Sequence, residues 1–417
     1  MLIQNKNLYQ SSQNTIFQIL ILFFIVTLPI NIQLNGLSVI LLLVFSLLDV
    51  SFYSKIKTIL QSKGFFLLLF YFVLHLLCAS YTIHFQGAVS EVEHKLSYLV
   101  FPLVFLHADK FDKSFIQKLY LFFSFYVLFY VVFSILMYMS KVQSFDIHLI
   151  NRDILLECTE IHPTYLSIYI LLSIFFIIIH LFENRNKHNY LLVIFQIISL
   201  PILGYIFWKT EARMSIIILP IVFISLIIRY LLMKKRYFFL IVALVIAIIG
   251  GIFLQQYLLK NVPRFREITE TKLAPPVGIH HNSTNLRVGI FLCTKEVIEN
   301  NWLLGVGTGS SQVALDACYA SKPWSDVLYK IHYQAHNQYL QSYLEQGLIG
   351  FVVVLTMLAY FIYKAFKNND LYMIVFSISI AIICVTESFL SNQKGIVLFA
   401  FFYCLFFSSQ KKQPNKS

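Results

Sequence analysis

The side chains of this chain that could do chemistry fall in three short stretches. WKTEARMSIIILP puts Arg213 at the start of an apolar run, STNLRVGIFLCTKEVIENNW carries Arg287, and HNQYLQSYLEQGLIG opens with His336 and Asn337. A cation at a helix start faces the positive end of the macrodipole, an unfavourable place unless an anion sits there too. Free N–H groups and a guanidinium then converge on that anion. Arg213 reads as such an anion ligand, with a snorkelling arginine or a partner of Glu211 as the plainer alternatives. Ser283 or Thr284 can cap a helix whose apolar stripe is Leu286, Ile290, Val297 and Ile298, expected to lie on the membrane as an amphipathic helix. Arg287 then falls in its first turn and suits an oxyanion or a lipid headgroup. His336, Leu340, Tyr343 and Gly347 share one helical face. An imidazole with an ordinary pKa near ~6.5 at the mouth of a bundle can take a proton from a hydroxyl, or can simply be a hydrogen-bonded interfacial histidine.

Other polar residues carry weaker signals. His162 and Tyr165 open an apolar run with Pro163 at its helical start, where proline is structurally expected, and the two could line one cavity. His332 and His336 have zinc-compatible i, i+4 spacing but no Glu between them, and the pair His280–His281 is no stronger, so no metal is expected. Glu91 and Glu93 stand two residues apart, which denies them a common helical face, and Lys95 offers an ordinary ion pair. Gly305, Gly307 and Gly309 read as a structural turn, since the lysine of a nucleotide-binding loop is missing. No cofactor is expected.

Positioning these residues falls to elements of a particular kind. The 417 residues are 58% hydrophobic and 12% charged, with a mean hydropathy of +0.74. A soluble domain is about one quarter charged, so the chain reads as an all-α polytopic membrane protein. The net charge of +12 does not indicate nucleic acid, because the basic residues sit in short loops rather than on an aromatic-interleaved face. A helix needs ~20 apolar residues to cross the hydrocarbon core. Candidate spans are 15–33, 37–53, 64–82, 95–108, 115–139, 164–182, 190–208, 212–232, 237–256, 348–366, 371–389 and 395–409, twelve in all. The first run lacks a signal-peptide cleavage site and should remain a span. No internal repeat is evident. The organisation expected is a bundle over 1–256, a large polar loop over 257–347, and three spans with a short basic tail over 348–417. A loop of that length is uncommon unless functional or disordered, and its aromatics, glycines and amphipathic spacing mark it as folded.

Charge orients the spans. With the N-terminus inside, the inner side takes 18 of the 32 Lys and Arg but only 5 of the 20 acids, so both termini are expected inside and the long loop outside. Cys78, Cys384 and Cys404 fall in spans, and Cys158, Cys293 and Cys318 on the outer side. A Cys293–Cys318 bridge and two unpaired buried thiols are both open readings.

In order along the chain, EARMSI, LRVGIF…NWLLGVGTG and HNQYLQSYLEQGLIG resemble the O-antigen ligase and polymerase family of bacterial inner-membrane glycosyltransferases. The resemblance covers about 200 to 365 and departs at Ala212, where the family has serine. It implies a GT-C-like helical fold and a glycan donor on undecaprenyl diphosphate. It also implies contacts from Arg213 and Arg287 to the diphosphate and His336 as the base for an acceptor hydroxyl; Asn337, His162 and Tyr165 are candidate supporting residues from their own positions. The partners it implies are that donor, a glycan or lipid A-core acceptor, and membrane lipids. The acceptor in a third branch is protein Ser or Thr. A flippase or transporter of lipid-linked glycans is the competing class. A transporter would be expected to hold charges at mid-membrane, and Glu387 in the eleventh run is the main residue of that kind.

Overall fold

The computed structural model describes residues 2–49, 52–56, 61–106, 111–184, 189–271, 274–276, 281–324 and 326–409, without the side chains of 2–12, Ser54 and Pro263. Lys57, Asp109, Lys110, Arg185, Lys187, His280 and the basic tail from 410 lie outside the described residues, as does the side chain of Lys6.

The described residues form helices and no strand. The first half holds α1 (Leu2–Ile30), α2 (Ile32–Leu47), α3 (Lys63–Ala79), α4 (Phe85–Lys95), α5 (Ser97–Val104), α6 (Lys113–Val142), α7 (Arg152–Thr159), α8 (Pro163–Glu183) and α9 (Tyr190–Lys209). The second half holds α10 (Arg213–Met233), α11 (Tyr237–Asn261), α12 (Pro263–Glu270), α13 (Ser283–Asn300), α14 (Ser311–Ser321), α15 (Asp326–Ile331), α16 (Gln338–Lys367), α17 (Leu371–Ile383) and α18 (Gln393–Ser409). Seven of these are long and apolar enough to cross a membrane: α1 from Gln13, α6, α8, α9, α10, α11 and α16. Four shorter apolar helices, α2, α3, α17 and α18, join them in the bundle. The chain is an all-α membrane protein.

The expected span at 95–108 is displaced. Its described residues fall in the end of α4, in α5 and in the turn after it; α4 and α5 meet at a tightened turn where Leu96 N–H reaches the Glu93 carbonyl, and Pro102 withholds one more helical donor. Lys95 therefore sits in the middle of the 85–104 stretch and is fully buried.

Helix α18 is the centre of the molecule. It is apolar all round and buried from Gly395 to Ser408, the pattern of a helix with neighbours on every side. Its Phe399, Phe402, Tyr403 and Phe406 rings pack against Phe361 of α16, Phe376 of α17, and Tyr120 of α6. At the other extreme, α11 is as apolar as α18 but buries only Leu258, leaving its flanks for hydrocarbon.

A second, smaller core forms between α13, α14, α15 and the start of α16, around Leu286, Ile290, Val297, Leu315, Tyr319 and Leu328. Cys293 and Cys318 are disulfide-bonded within it, with Cα atoms 5.8 Å apart. The glycine turn ties this core to the bundle. Gly309 has φ +83°, and a Cβ there would stand 2.2 Å from Ala88 N. Gly347, at φ +63° and ψ −157°, breaks α16 into two helices. The carbonyls that this break frees on Leu344 and Glu345 accept from Val306 and Gly307 at 2.8 and 3.0 Å, so the turn completes the interrupted helix.

Candidate active site

Where the second core meets the bundle, the C-terminal end of α17 and the N-terminal ends of α8, α10 and α16 converge, and Glu387 is the hub. It lies in the segment between α17 and α18. Its carboxylate accepts from Arg287 Nη2 at 3.2 Å and from His336 Nδ1 at 3.3 Å. Burial pushes the Glu387 carboxyl up, but the His336 hydrogen bond and the charges of His336, Arg287 and His162 outweigh it and hold the group below its usual range. Arg287 also donates to the Thr386 carbonyl at 2.7 Å, which ties α13 to the same segment.

His336 does not lie on the helical face that its spacing predicted. Asn337 is the N-cap of α16, its side chain accepting from Leu340 N at 3.1 Å, and His336 precedes it at φ +46°. The cap explains the shift, because a residue ahead of the N-cap takes no part in the helical repeat. The Asn337 amide also donates to the Val385 carbonyl at 2.8 Å, and Gln338 N–H to the Cys384 carbonyl at 2.8 Å. The imidazole is thereby fixed over the α17–α18 connection.

Arg213 is the first residue of α10. Ala212 holds the N-cap without a side-chain bond, leaving helix N–H groups for another acceptor. Arg213 pairs with Glu267 of α12 at 2.5 Å rather than with Glu211, and Ser283 at the start of α13 donates to the same Glu267 oxygen at 3.1 Å. A continuous path thus runs from Arg213 through Glu267 to α13, then from Arg287 through Glu387 to His336. Arg213 and Arg287 are also within electrostatic range of each other.

His162 caps α8 through Nδ1, and its ring stands 6.4 Å from that of Tyr165. Tyr165 is buried and stacks on Phe389, so it supports the site from below. His162 shows an exposed edge to the site. Partial burial of the ring lowers its pKa; Glu387 opposes this, while Arg152, His336 and Arg264 reinforce it. Two residues at the site, Glu211 and His336, adopt positive φ without being glycine, a form of strain found at functional sites.

Other expectations resolve differently. Asn282, not Ser283 or Thr284, caps α13, in a capping box with Asn285. The stripe Leu286, Ile290 and Val297 is covered by α14 and α15 rather than by lipid. His332 turns away to Asp316 at 2.7 Å. Glu91 lies inside α4 and makes the ion pair with Lys95 that the sequence suggested. Nothing in the spacing of Glu267, Arg152 and Arg264 marks them as members of the site. Arg264 of α12 reaches the Glu211 carbonyl at 3.4 Å, and both arginines lie within electrostatic range of Arg213 and His162.

Four guanidiniums and two imidazoles thus face three carboxylates, those of Glu211, Glu267 and Glu387. An excess of fixed positive charge at helix starts is a site for a multiply charged anion. Comparison with curated proteins gives no match. Residues 197–355, which hold Arg213, Arg264, Arg287 and His336, match the family model described as O-antigen ligase.

Proposed function

We propose that this chain is a membrane glycosyltransferase that moves a glycan from undecaprenyl diphosphate to an acceptor hydroxyl. In this reading the chain has twelve spans, α4 and α5 together forming the fourth. It lies in a bacterial inner membrane with both termini cytoplasmic, and the site opens on the periplasmic side. The charge bias of the loops supports that orientation. The observation that carries the reading is a pair of hydrogen-bonded groups, Arg213–Glu267–Ser283 and Arg287–Glu387–His336, joined through α13 and contributed by separate elements at one end of the bundle.

The chemistry follows from that geometry. An ionised carboxylate only accepts hydrogen bonds, so Glu387 takes the Nδ1–H of His336 and leaves Nε2 with its lone pair. Nε2 removes the proton of the acceptor hydroxyl as its oxygen attacks the anomeric carbon of the donor sugar. The bond between that carbon and the phosphate oxygen breaks, and the diphosphate leaves with the electron pair. Arg213 and Arg287 stabilise the growing negative charge, so the step is metal-independent. The imidazolium that forms is balanced by Glu387. An end of a growing glycan or a lipid A-core sugar supplies the acceptor, as in ligase and polymerase members of the family resembled.

The test is transfer in proteoliposomes containing an undecaprenyl-diphosphate oligosaccharide, with EDTA present. Arg213→Ala and Arg287→Ala are each expected to lower the rate ~10²–10³-fold, the loss typical of one oxyanion-stabilising donor. Full activity in both variants would overturn the reading. So would complete loss in EDTA restored by Mg²⁺.

A further inference from the structure

The diphosphate reading leaves an imbalance between the charge the site must handle and the arginines assigned to it. A sugar-linked lipid diphosphate carries two negative charges, one on each phosphate. When the bond from the sugar carbon to oxygen breaks, the departing diphosphate gains a third. Arg213 and Arg287 meet this charge already paired, one with Glu267 and the other with Glu387 and the Thr386 carbonyl.

Two neighbouring guanidiniums are not so engaged. Arg152, the first residue of α7, forms no ion pair among the described residues, and its Nε is buried without a hydrogen-bond partner. Arg264 has one long bond, 3.4 Å to the Glu211 carbonyl, a residue held at φ +49°. Arg213 Nε is likewise buried and unpartnered. Unsatisfied donors on buried charged groups are costly, and here they collect among four mutually repelling cations. An anion with several oxygens removes both costs together, since each guanidinium offers a fork of donors matched to phosphate. Helices α7 and α12 are both amphipathic segments between spans, so they bring these arginines from outside the bundle towards Arg213 and His162.

We propose that Arg152 and Arg264 form a second guanidinium pair that binds the terminal phosphate of the leaving diphosphate and takes up the charge it gains on departure. This rests on the diphosphate-donor reading. Arg213 and Arg287 hold the donor, while Arg152 and Arg264 favour the more highly charged product and the transition state leading to it.

The experiment measures binding of undecaprenyl diphosphate, undecaprenyl monophosphate, undecaprenol and inorganic pyrophosphate to the full chain in nanodiscs. Arg152→Gln and Arg264→Gln are each expected to weaken undecaprenyl diphosphate about tenfold or more, the scale of one lost charged hydrogen bond. Monophosphate binding should change less than about threefold. Arg152→Lys and Arg264→Lys keep the charge and should recover part of the loss, which separates a binding role from misfolding. Weakening of inorganic pyrophosphate in parallel supports an anion site; pyrophosphate affinity untouched by the Gln variants, with the lipid weakened, assigns the loss to the lipid tail and overturns the proposal. Diphosphate affinity at the wild-type level in both Gln variants, with Arg213→Ala and Arg287→Ala weakened, overturns this inference alone. A wild-type chain that binds undecaprenyl diphosphate no better than undecaprenol removes the donor reading itself.

Discussion

Two carboxylates in this molecule have the same kinds of partner and opposite surroundings. Glu345, on α16 just before the break at Gly347, faces His75 at 3.6 Å and Lys95 at 3.9 Å, with Gln341 and Ser311 donating at 2.7 and 3.3 Å. Glu387 faces His336 at 3.3 Å and Arg287 at 3.2 Å. Each is a glutamate between a histidine and a permanent cation. The Glu345, His75 and Lys95 side chains are 2%, 1% and 0% exposed, whereas those of Glu387, His336 and Arg287 are 13%, 30% and 42% exposed. Access separates the two clusters. The sealed one spends its donors on the protein, stitching α3, α4, α14 and α16 together beneath the glycine turn. The open one holds its carboxylate in place and turns an imidazole nitrogen and guanidinium edges outward.

The strongest way to break this comparison is to disable one cluster at a time. His336→Ala is expected to lower glycosyl transfer ~10²–10⁴-fold, the usual contribution of a positioned base, with the thermal midpoint of the purified protein nearly unchanged. Glu345→Ala should do the reverse. It leaves the buried Lys95 with Glu91 as its one carboxylate and removes the acceptor of Gln341 and Ser311; a buried donor without its acceptor costs ~1–3 kcal/mol, read as a drop in midpoint. Transfer per folded molecule should survive in part. Equal stability losses in the two variants would erase the distinction between a sealed and an open cluster.

The comparison also shows which parts of the molecule the sequence could reveal. Long apolar runs announce most of the bundle because crossing a bilayer fixes their length and composition. Arg213 was legible because it stands at the edge of such a run. Lys95 misled, since a lysine in sequence looks like a span boundary, and its pairing with Glu91 one turn before it and with Glu345, 250 residues away, permits it to sit inside. Glu387 was visible as an odd charge in an apolar stretch, but nothing local tied it to His336 or Arg287. Arg152 and Arg264 lie in short polar helices with no pattern to set them apart. Local chemistry is written in spacing, while partnership between distant elements emerges only when helices pack. The match over 197–355 covers α10, α11, the loop and the start of α16 but leaves out Arg152, His162 and Glu387, a third of the charged and imidazole groups at the site.

A milder perturbation addresses how the open cluster is held. Replacing Cys293 and Cys318 by serine releases the 25-residue separation that the disulfide closes. A loop of that size is worth about 3 kcal/mol in the chain-entropy account. The loss should appear as faster proteolysis within 283–331 and as weaker transfer, because α13 carries Arg287. Of the sealed cluster only Ser311 lies inside that loop, while Glu345, His75 and Lys95 lie outside it, so protection of the bundle should change much less than that of 283–331.

The smallest effect expected is in the response to acid, and its sign follows from two lowered pKa values. His162 is held below its ordinary value by burial and by Arg152, His336 and Arg264, against the pull of Glu387. The unfolded chain therefore binds a proton at His162 before the folded one does. The stability this represents is complete above about pH 6.5 and declines as the pH falls towards the depressed value. Glu387 is also lowered, so its contribution is complete above about pH 4.3 and is lost as the pH drops through its folded pKa. Acid should thus weaken the open cluster in two successive steps of the same sign. His162→Gln removes the first and leaves the second. Thermal midpoints recorded from pH 7.5 to 3.5 would show the upper limb flattened in that variant, and an unchanged profile would mean that His162 does not sense the arginines around it.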